Sequence, residues 1–243
     1  MRLYACFTAS HRPLLERHFL PSLPPPWMGS VAAGPYDSEH LILRELSQRS
    51  DSGAYASPGF RETCLDKLDF ILEAISRETE PFLYSDVDVR FYGPVVEDLL
   101  ACLGDADMAF QWDGPRGSEC TGFIVIRPSE HVLRFWRRVR DCFEGYLQSG
   151  PPGDWRTDQE AAHEILGIQA GVRTDVFLQN GGVRWRVLPE RYWTYGRNDK
   201  HWEPGMPVNP PSDLLMHHAS WTLRIENKLA LLDAVLAAVK ERA

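Results

Sequence analysis

The hydrophobic spacing changes period between residues 61 and 86, and that change dictates a layered fold. Cys64, Leu65, Leu68, Ile71, Leu72 and Ile75 recur at helical spacing and fall on one stripe. Residues 61–77 therefore read as an amphipathic helix with one face buried. Phe82-Leu83-Tyr84 follows as an unbroken apolar run, which reads as a buried strand. A one-sided helix beside a buried strand needs stacked layers of helix and sheet.

The alternation extends along the chain. Leu3 to Phe7 reads as a strand stopped by Thr8-Ala9-Ser10, and Leu14 to Leu20 as a helix that Pro21 to Pro26 breaks. A second strand is expected within 27–34 and a helix over 38–49, before a loop at 50–60. Then come a helix at 95–103 and strands at MAFQWD (108–113) and TGFIVIRP (121–128). Ser129 caps a long helix to about Gln148, with Val132, Phe135, Trp136, Val139, Phe143 and Tyr146 inward. TDQEAAHEIL is a short helix, VRWRVLP a strand, LLMHHAS a buried strand, and 224–241 the closing helix. Residues 196–212 are polar and proline-rich, a candidate lid or acceptor loop, because plain loops of that length are uncommon without a function. Strands alternating with helices predict an α/β domain with a mainly parallel central sheet flanked by helices. Ligands then bind at the carboxyl ends of the strands.

Charge narrows the partners. Lys plus Arg number 26 against 34 Asp plus Glu, a net charge of −8, which argues against nucleic acid. Cys6, Cys64, Cys102, Cys120 and Cys142 are odd in number and widely spaced, so they read as reduced thiols and not as a disulfide framework or zinc site. No apolar run approaches the roughly 18 residues of a membrane span. The apolar stretch in MRLYACFTASHRP ends too soon for a signal peptide. The expected compartment is a reducing cytoplasm.

The chemistry concentrates at Asp86-Val87-Asp88, directly after the buried run. Two carboxylates two residues apart at a strand mouth make a hard-oxygen site for Mg²⁺ or Mn²⁺. Asp105-Ala106-Asp107 is a second such pair, but it lies between a helix end and a strand start and reads as structural. His217 follows the apolar run Leu214-Leu215-Met216, and an imidazole added to two carboxylates favours Mn²⁺. In a regular strand His217 and His218 face opposite sides, so one alone reaches the metal, and His217 is the candidate. Lys67 sits at the flank of its helix's apolar stripe, where it can meet a phosphate or snorkel into solvent. Trp193, Trp202 and Trp221 lie in or beside the polar loop and the His segment, where an aromatic face could stack on a sugar.

FLYSDVDVRFYGP resembles the D-x-D segment of GT-A-fold glycosyltransferases, and the chain is similar, in order over most of its length, to nucleotide-diphospho-sugar transferases related to glycogenin and the lipopolysaccharide galactosyltransferases. FTASH resembles the family's first strand and nucleotide-facing turn, which gives Thr8, Ala9 and Ser10 to the nucleotide. Lys67 stands where the family carries a cation near the diphosphate. Asp113 ends a strand whose terminal carboxylate lies by the sugar, and CTGFIVIRP matches an N-x-G segment with Cys120 in place of Asn. Asp158-Gln159 resembles the D-Q pair beside the donor sugar. LLMHHASW…NK resembles the carboxy-terminal His segment, whose first His binds metal and whose later Lys, here Lys228, approaches phosphate; the glycine of the family's H-x-x-G form is absent after His217.

The resemblance implies one GT-A-like (Rossmann-like) domain over 1–243, with a nucleotide-binding half (1–113), an acceptor-side half (114–243) and a small carboxy-terminal metal- and acceptor-side subregion. It implies metal-dependent transfer of a sugar from a nucleoside-diphosphate donor, a UDP-sugar before others, with retention, to a glycan, lipid-linked, protein or small-molecule acceptor. Metal ligands would be Asp86, Asp88 and His217, with Asp86 shared with the ribose. Asp113, Asp158 and Gln159 would surround the anomeric carbon. Asp86-Val87-Asp88-Val89 also fits the D-x-D-x-[TV] string of haloacid-dehalogenase-type phosphatases, although about 85 residues precede it here. A non-catalytic nucleotide-sugar binding module is the third reading.

Overall fold

A computed structural model of the chain describes all residues except 29–38, 51, 54, 56, 115–118, 151–153, 168–177, 181, 199–200 and 243. The chain opens with β1 (Leu3–Phe7), a 3-10 turn (Ala9–His11) and α1 (Arg12–Leu14), which passes through a π turn (Leu15–Phe19) into α2 (Leu20–Ser22). Then follow β2 (Leu41–Glu45), α3 (Phe60–Arg77), β3 (Phe82–Asp86), β4 (Val89–Phe91) and α4 (Val96–Leu103). The middle of the chain holds β5 (Met108–Trp112), β6 (Glu119–Ile126), α5 (Glu130–Ser149) and α6 (Asp158–Leu166). The rest holds β7 (Leu178–Asn180), β8 (Val183–Val187), β9 (Tyr192–Thr194), β10 (Met216–His218) and α7 (Ile225–Lys240). Among the described residues no helix is long and apolar enough to cross a membrane.

The expected α/β fold is the one adopted. Seven strands form one sheet in the order β2-β1-β3-β6-β5-β8-β7. β1 runs parallel to β2 and β3, and β5 to β8. β6 runs against β3 and β5, and β7 against β8. The period of two along β1 divides the core. Tyr4 and Cys6 pack under α3 and α5 with Leu68, Phe70, Ile71 and Trp136. Leu3, Ala5 and Phe7 face the other layer with Leu15, Phe19, Trp27 and Leu99. A second sheet, β4-β10-β9, lies beside a third cluster, in which Trp193, Trp202 and Leu214 pack with Leu231, Leu232 and Val235 of α7.

Two helices start on side-chain caps. Ser129 Oγ accepts from Val132 N at the start of α5. At α6, Thr157 caps Gln159 N while Glu160 reaches back to Thr157 N at 2.7 Å, a reciprocal capping box. The helix expected over 38–49 is corrected: Leu41–Glu45 is a strand, paired in parallel with β1. Leu41 and Leu43 are buried while Ile42 and Arg44 are less so, and an open edge of β1 turns that alternation into a ladder. Of the strand expected within 27–34, Trp27 and Met28 lie in a turn and the remainder falls outside the described residues. The long loop after β9 is packed: Trp202, Met206 and Val208 join the third cluster, and Trp202 Nε1 donates to Met206 O.

β6 opens on a buried carboxyl. Glu119 is 1% exposed, and its Oε2 has no hydrogen-bond partner. Burial pushes its pKa up from 4.5 to about 7. A carboxyl that holds its proton more tightly folded than unfolded stabilises the fold at low pH and loses that contribution as pH rises through about 7. Glu119→Gln is therefore expected to raise Tm by about 4–8 °C at about pH 8 and by much less at about pH 5. Thermal melts at both pH values check this, and an equal shift at both would refute it.

Candidate active site

A cavity of about 490 Å³ opens at the carboxyl ends of β1, β3 and β5, with Asp86, Asp88, Lys67, His218 and Lys228 among its walls. β6 runs the other way, so its first residues, Cys120, Thr121 and Gly122, reach the same edge. The cavity thus lies where a parallel α/β sheet places its ligands.

Asp86 ends β3 and Asp88 leads into β4, so a single turn brings both carboxylates to one point. Candidate ligand atoms of Asp86, Asp88 and His218 all lie within 4.8 Å of one another. Tyr84 Oη donates to Asp86 Oδ1 at 2.8 Å. Asp88 is buried, faces His218 Nε2 at 3.1 Å and pairs with Lys228 Nζ from α7. Burial alone would raise both carboxyls. For Asp88, Lys228 and His218 overcome it and hold the carboxyl well below the usual range. For Asp86, burial prevails over Lys67 and the neighbouring Asp88 adds to it, so its pKa is raised.

Gln111 fixes the imidazole. Its amide nitrogen donates to Tyr192 O and Trp193 O, which leaves Oε1 facing His218 Nδ1 at 2.7 Å. Nδ1 must then carry a proton; burial opposes a second one, but the Asp88 carboxylate outweighs burial and raises the imidazole's pKa, so Nε2 faces Asp88 as a donor at 3.1 Å. An imidazole nitrogen and two carboxylates converging on one point suit a cation that displaces the Nε2 proton. Gly122 leaves the room: a Cβ there would lie 2.5 Å from Asp86 Oδ2 and 2.7 Å from His218 Cε1. The donor set fits a divalent metal.

The structure does not bring His217 to the carboxylates. Neighbours in a strand point to opposite faces, and β10 turns His218 to the carboxylates and His217 away. The His217 ring is 4.9 Å from that of Trp193, is fully buried, and has no hydrogen-bond partner on either nitrogen. Burial, with His218 adding, lowers its pKa to about 3, so it stays neutral.

The adjoining wall carries the residues expected around the sugar. Lys67, on α3, pairs with Asp158 Oδ2 at 2.6 Å, and Thr121 Oγ1 donates to the same oxygen at 2.7 Å. Burial opposes the charge on Lys67, but Asp158 and Asp86 outweigh it and raise its pKa well above the usual value. Asp113 accepts from Ser220 Oγ at 2.7 Å on Oδ1, and from Trp221 Nε1 at 2.8 Å and Gln159 Nε2 at 3.2 Å on Oδ2. Both of its oxygens are engaged. Trp221 takes φ 58°, a conformation that glycine favours, three residues after His218. The H-x-x-G spacing thus counts from His218. Gly196 and His201 hold the indole there: a Cβ on Gly196 would lie 2.6 Å from it, and His201 Nδ1 contacts Trp221 O at 2.8 Å.

Other expected residues lie elsewhere. At the turn after β1 the cavity is lined by His11, with Thr8, Ala9 and Ser10 just behind it; Thr8 Oγ1 and Ser10 Oγ contact His11 Nδ1 at 3.0 and 3.1 Å. Trp193 and Trp202 are core residues, so of the three named tryptophans only Trp221 lines the cavity. Asp107 accepts from Arg184 N at 2.7 Å, and Asp105 lies 3.3 Å from the Arg184 guanidinium. Gln111 and Gly122 were not anticipated, although a lone amide inside the apolar strand MAFQWD is a signal, because a buried amide needs partners.

No curated protein matches the sequence. Among solved structures, the chain is similar to a glycosyltransferase involved in the glycosylation of the major capsid of PBCV-1, with TM-score 0.54 and 13% identity over 96% of this chain and 100% of that one. It is also similar to an active-site mutant of LgtC, with TM-score 0.50 and 13% identity over 90% of this chain and 87% of that one. GlyE of Streptococcus pneumoniae TIGR4 aligns with TM-score 0.47 and 13% identity over 99% of this chain, which spans 63% of that protein. The first two likenesses show a shared GT-A fold. The family model of nucleotide-diphospho-sugar transferases matches residues 37–232. With most of its length inside that match, the chain belongs to the nucleotide-diphospho-sugar transferase family and is a nucleotide-sugar-dependent glycosyltransferase.

Proposed function

We propose that the protein transfers a sugar from a UDP-sugar, with Mn²⁺ before Mg²⁺, and retains the anomeric configuration. The observation that carries the metal dependence is the convergence of Asp86, Asp88 and His218, with Gln111 setting the tautomer. UDP and retention rest on the family resemblance. A divalent cation bound there would act as a Lewis acid on the departing diphosphate. Lys67 and Lys228 add fixed positive charge beside the carboxylates and are assigned to the phosphates. The turn of Thr8, Ala9 and Ser10 is assigned to the nucleoside, with His11 as its face on the cavity, and Asp86 to both metal and ribose. Asp158 and Gln159 are assigned to the sugar. Asp113, with both oxygens engaged, is assigned as a positioning residue for the turn at 220–222, which supports a front-face route over a covalent Asp113 adduct. The cytoplasm remains the proposed compartment, supported by five free cysteines.

Nucleoside-diphosphate release with Mn²⁺ and a panel of nucleotide sugars tests the reading. Asp88→Ala is expected to lower transfer by about 10²-fold or more and to remove metal-stimulated donor binding, with an unchanged circular dichroism spectrum. Activity equal to wild type would refute the metal assignment.

His218→Ala is expected to weaken Mn²⁺ binding by about tenfold or more, whereas His217→Ala lowers Tm and leaves Mn²⁺ affinity intact. Calorimetric titration of both variants decides, and the reverse ranking would restore His217.

Asp113→Asn is expected to keep transfer within about 10²-fold of wild type, with Trp221→Phe losing a similar amount. A loss beyond about 10⁴-fold in Asp113→Asn alone would make Asp113 the nucleophile.

A further inference from the structure

The cavity has a charged floor and an apolar mouth. Tyr55, Trp155 and Leu223 line it and are 43%, 57% and 42% exposed. Tyr55 Oη donates to Trp155 O at 3.5 Å, and the Tyr55 ring meets Phe60 edge-on at 5.5 Å.

Trp155 is exposed by construction. The residues on either side of it are pinned. Arg61 Nε, from α3, donates to Arg156 O at 2.9 Å. The Arg156 guanidinium binds Asp154 at 2.9 Å and lies 3.8 Å from the centre of the Tyr146 ring of α5. Asp154 also accepts from Arg156 N, and Arg61 approaches it at 3.5 Å. Thr157 is locked by its capping box. A backbone fixed on both sides of an indole that stays in solvent is a presented surface, because a free strap would fold the ring inward.

The acids beside that surface already have partners. Asp154 is paired with arginine and Glu160 accepts from Thr157. What the lip offers is an indole, a phenol and an isobutyl group. Such a surface selects a ring with an apolar C–H face and does not select a phosphate or an acidic peptide. Trp155 is also on the same strap as Asp158 and Gln159, which places it beside the sugar side of the cavity. We propose that Trp155, flanked by Tyr55, is the platform that seats the acceptor, and that the acceptor is a saccharide whose ring stacks on the indole. This rests on the transferase reading of the cavity above.

The test uses the full chain as wild type, Trp155→Ala and Trp155→Phe. A broad glycan array is probed with each protein. Donor hydrolysis is measured with Mn²⁺ and nucleotide sugars, with and without the saccharides that the array binds. Wild type is expected to bind saccharides on the array. Trp155→Ala should lose that binding and raise the saccharide KM by about tenfold or more, while donor KM and hydrolysis stay within about twofold. Trp155→Phe should restore most of the binding. Three results overturn the proposal: array binding that survives in Trp155→Ala, a donor KM that rises in its place because the indole seats the nucleoside, or a wild-type protein that hydrolyses donor yet binds no glycan. Absence of any donor hydrolysis would refute the transferase reading itself, and the array would still decide the role of Trp155.

Discussion

A carboxylate shut away from water must be neutralised by what surrounds it, and around Asp88 that requirement organises the molecule. Asp88 is 4% exposed. Its side chain is met by His218 from β10 and Lys228 from α7, and its carbonyl accepts from Ala219 N at 2.8 Å. Elements far apart in sequence are thereby held to the turn after β3. Gln111 carries the constraint onward, since the amide that orients His218 is itself tied to the carbonyls of Tyr192 and Trp193 in β9. The small sheet is thus tied to that turn by a buried charge as well as by its own ladder and apolar cluster.

The two acids of the motif are not equivalent. Asp88 has cations within reach on two sides, whereas Asp86 accepts from the Tyr84 hydroxyl and sits beside its like-charged neighbour. Their environments push the two carboxyls in opposite directions. A pair divided in this way holds its first negative charge firmly and its second loosely.

Much of the frame was legible in the sequence. Stripes as regular as those of α3 and α5 have one solution, and the acidic motif after an apolar run fixed the cavity edge. Failures came where local pattern is silent. The segment 41–45 carries helical and extended spacing at once, and only the open edge of β1 decides between them. His217 and His218 are equal in composition; their difference is the parity of a three-residue strand whose register is set by β4 and β9. The tie between Asp113 and Trp221 joins residues 108 positions apart, through a left-handed backbone that a tryptophan does not advertise.

Gly122 carries a consequence of its own. It stands in β6, a strand buried along its whole length, where substitutions are usually judged by packing alone. Here the missing methyl group is the free space between Asp86 and His218. Alanine, among the mildest replacements elsewhere in a sheet, would act as a plug at this one place. Substitution at this one position is therefore decided by the space between those two side chains, whereas its neighbours in β6 are held by packing and by the Thr121–Asp158 bond.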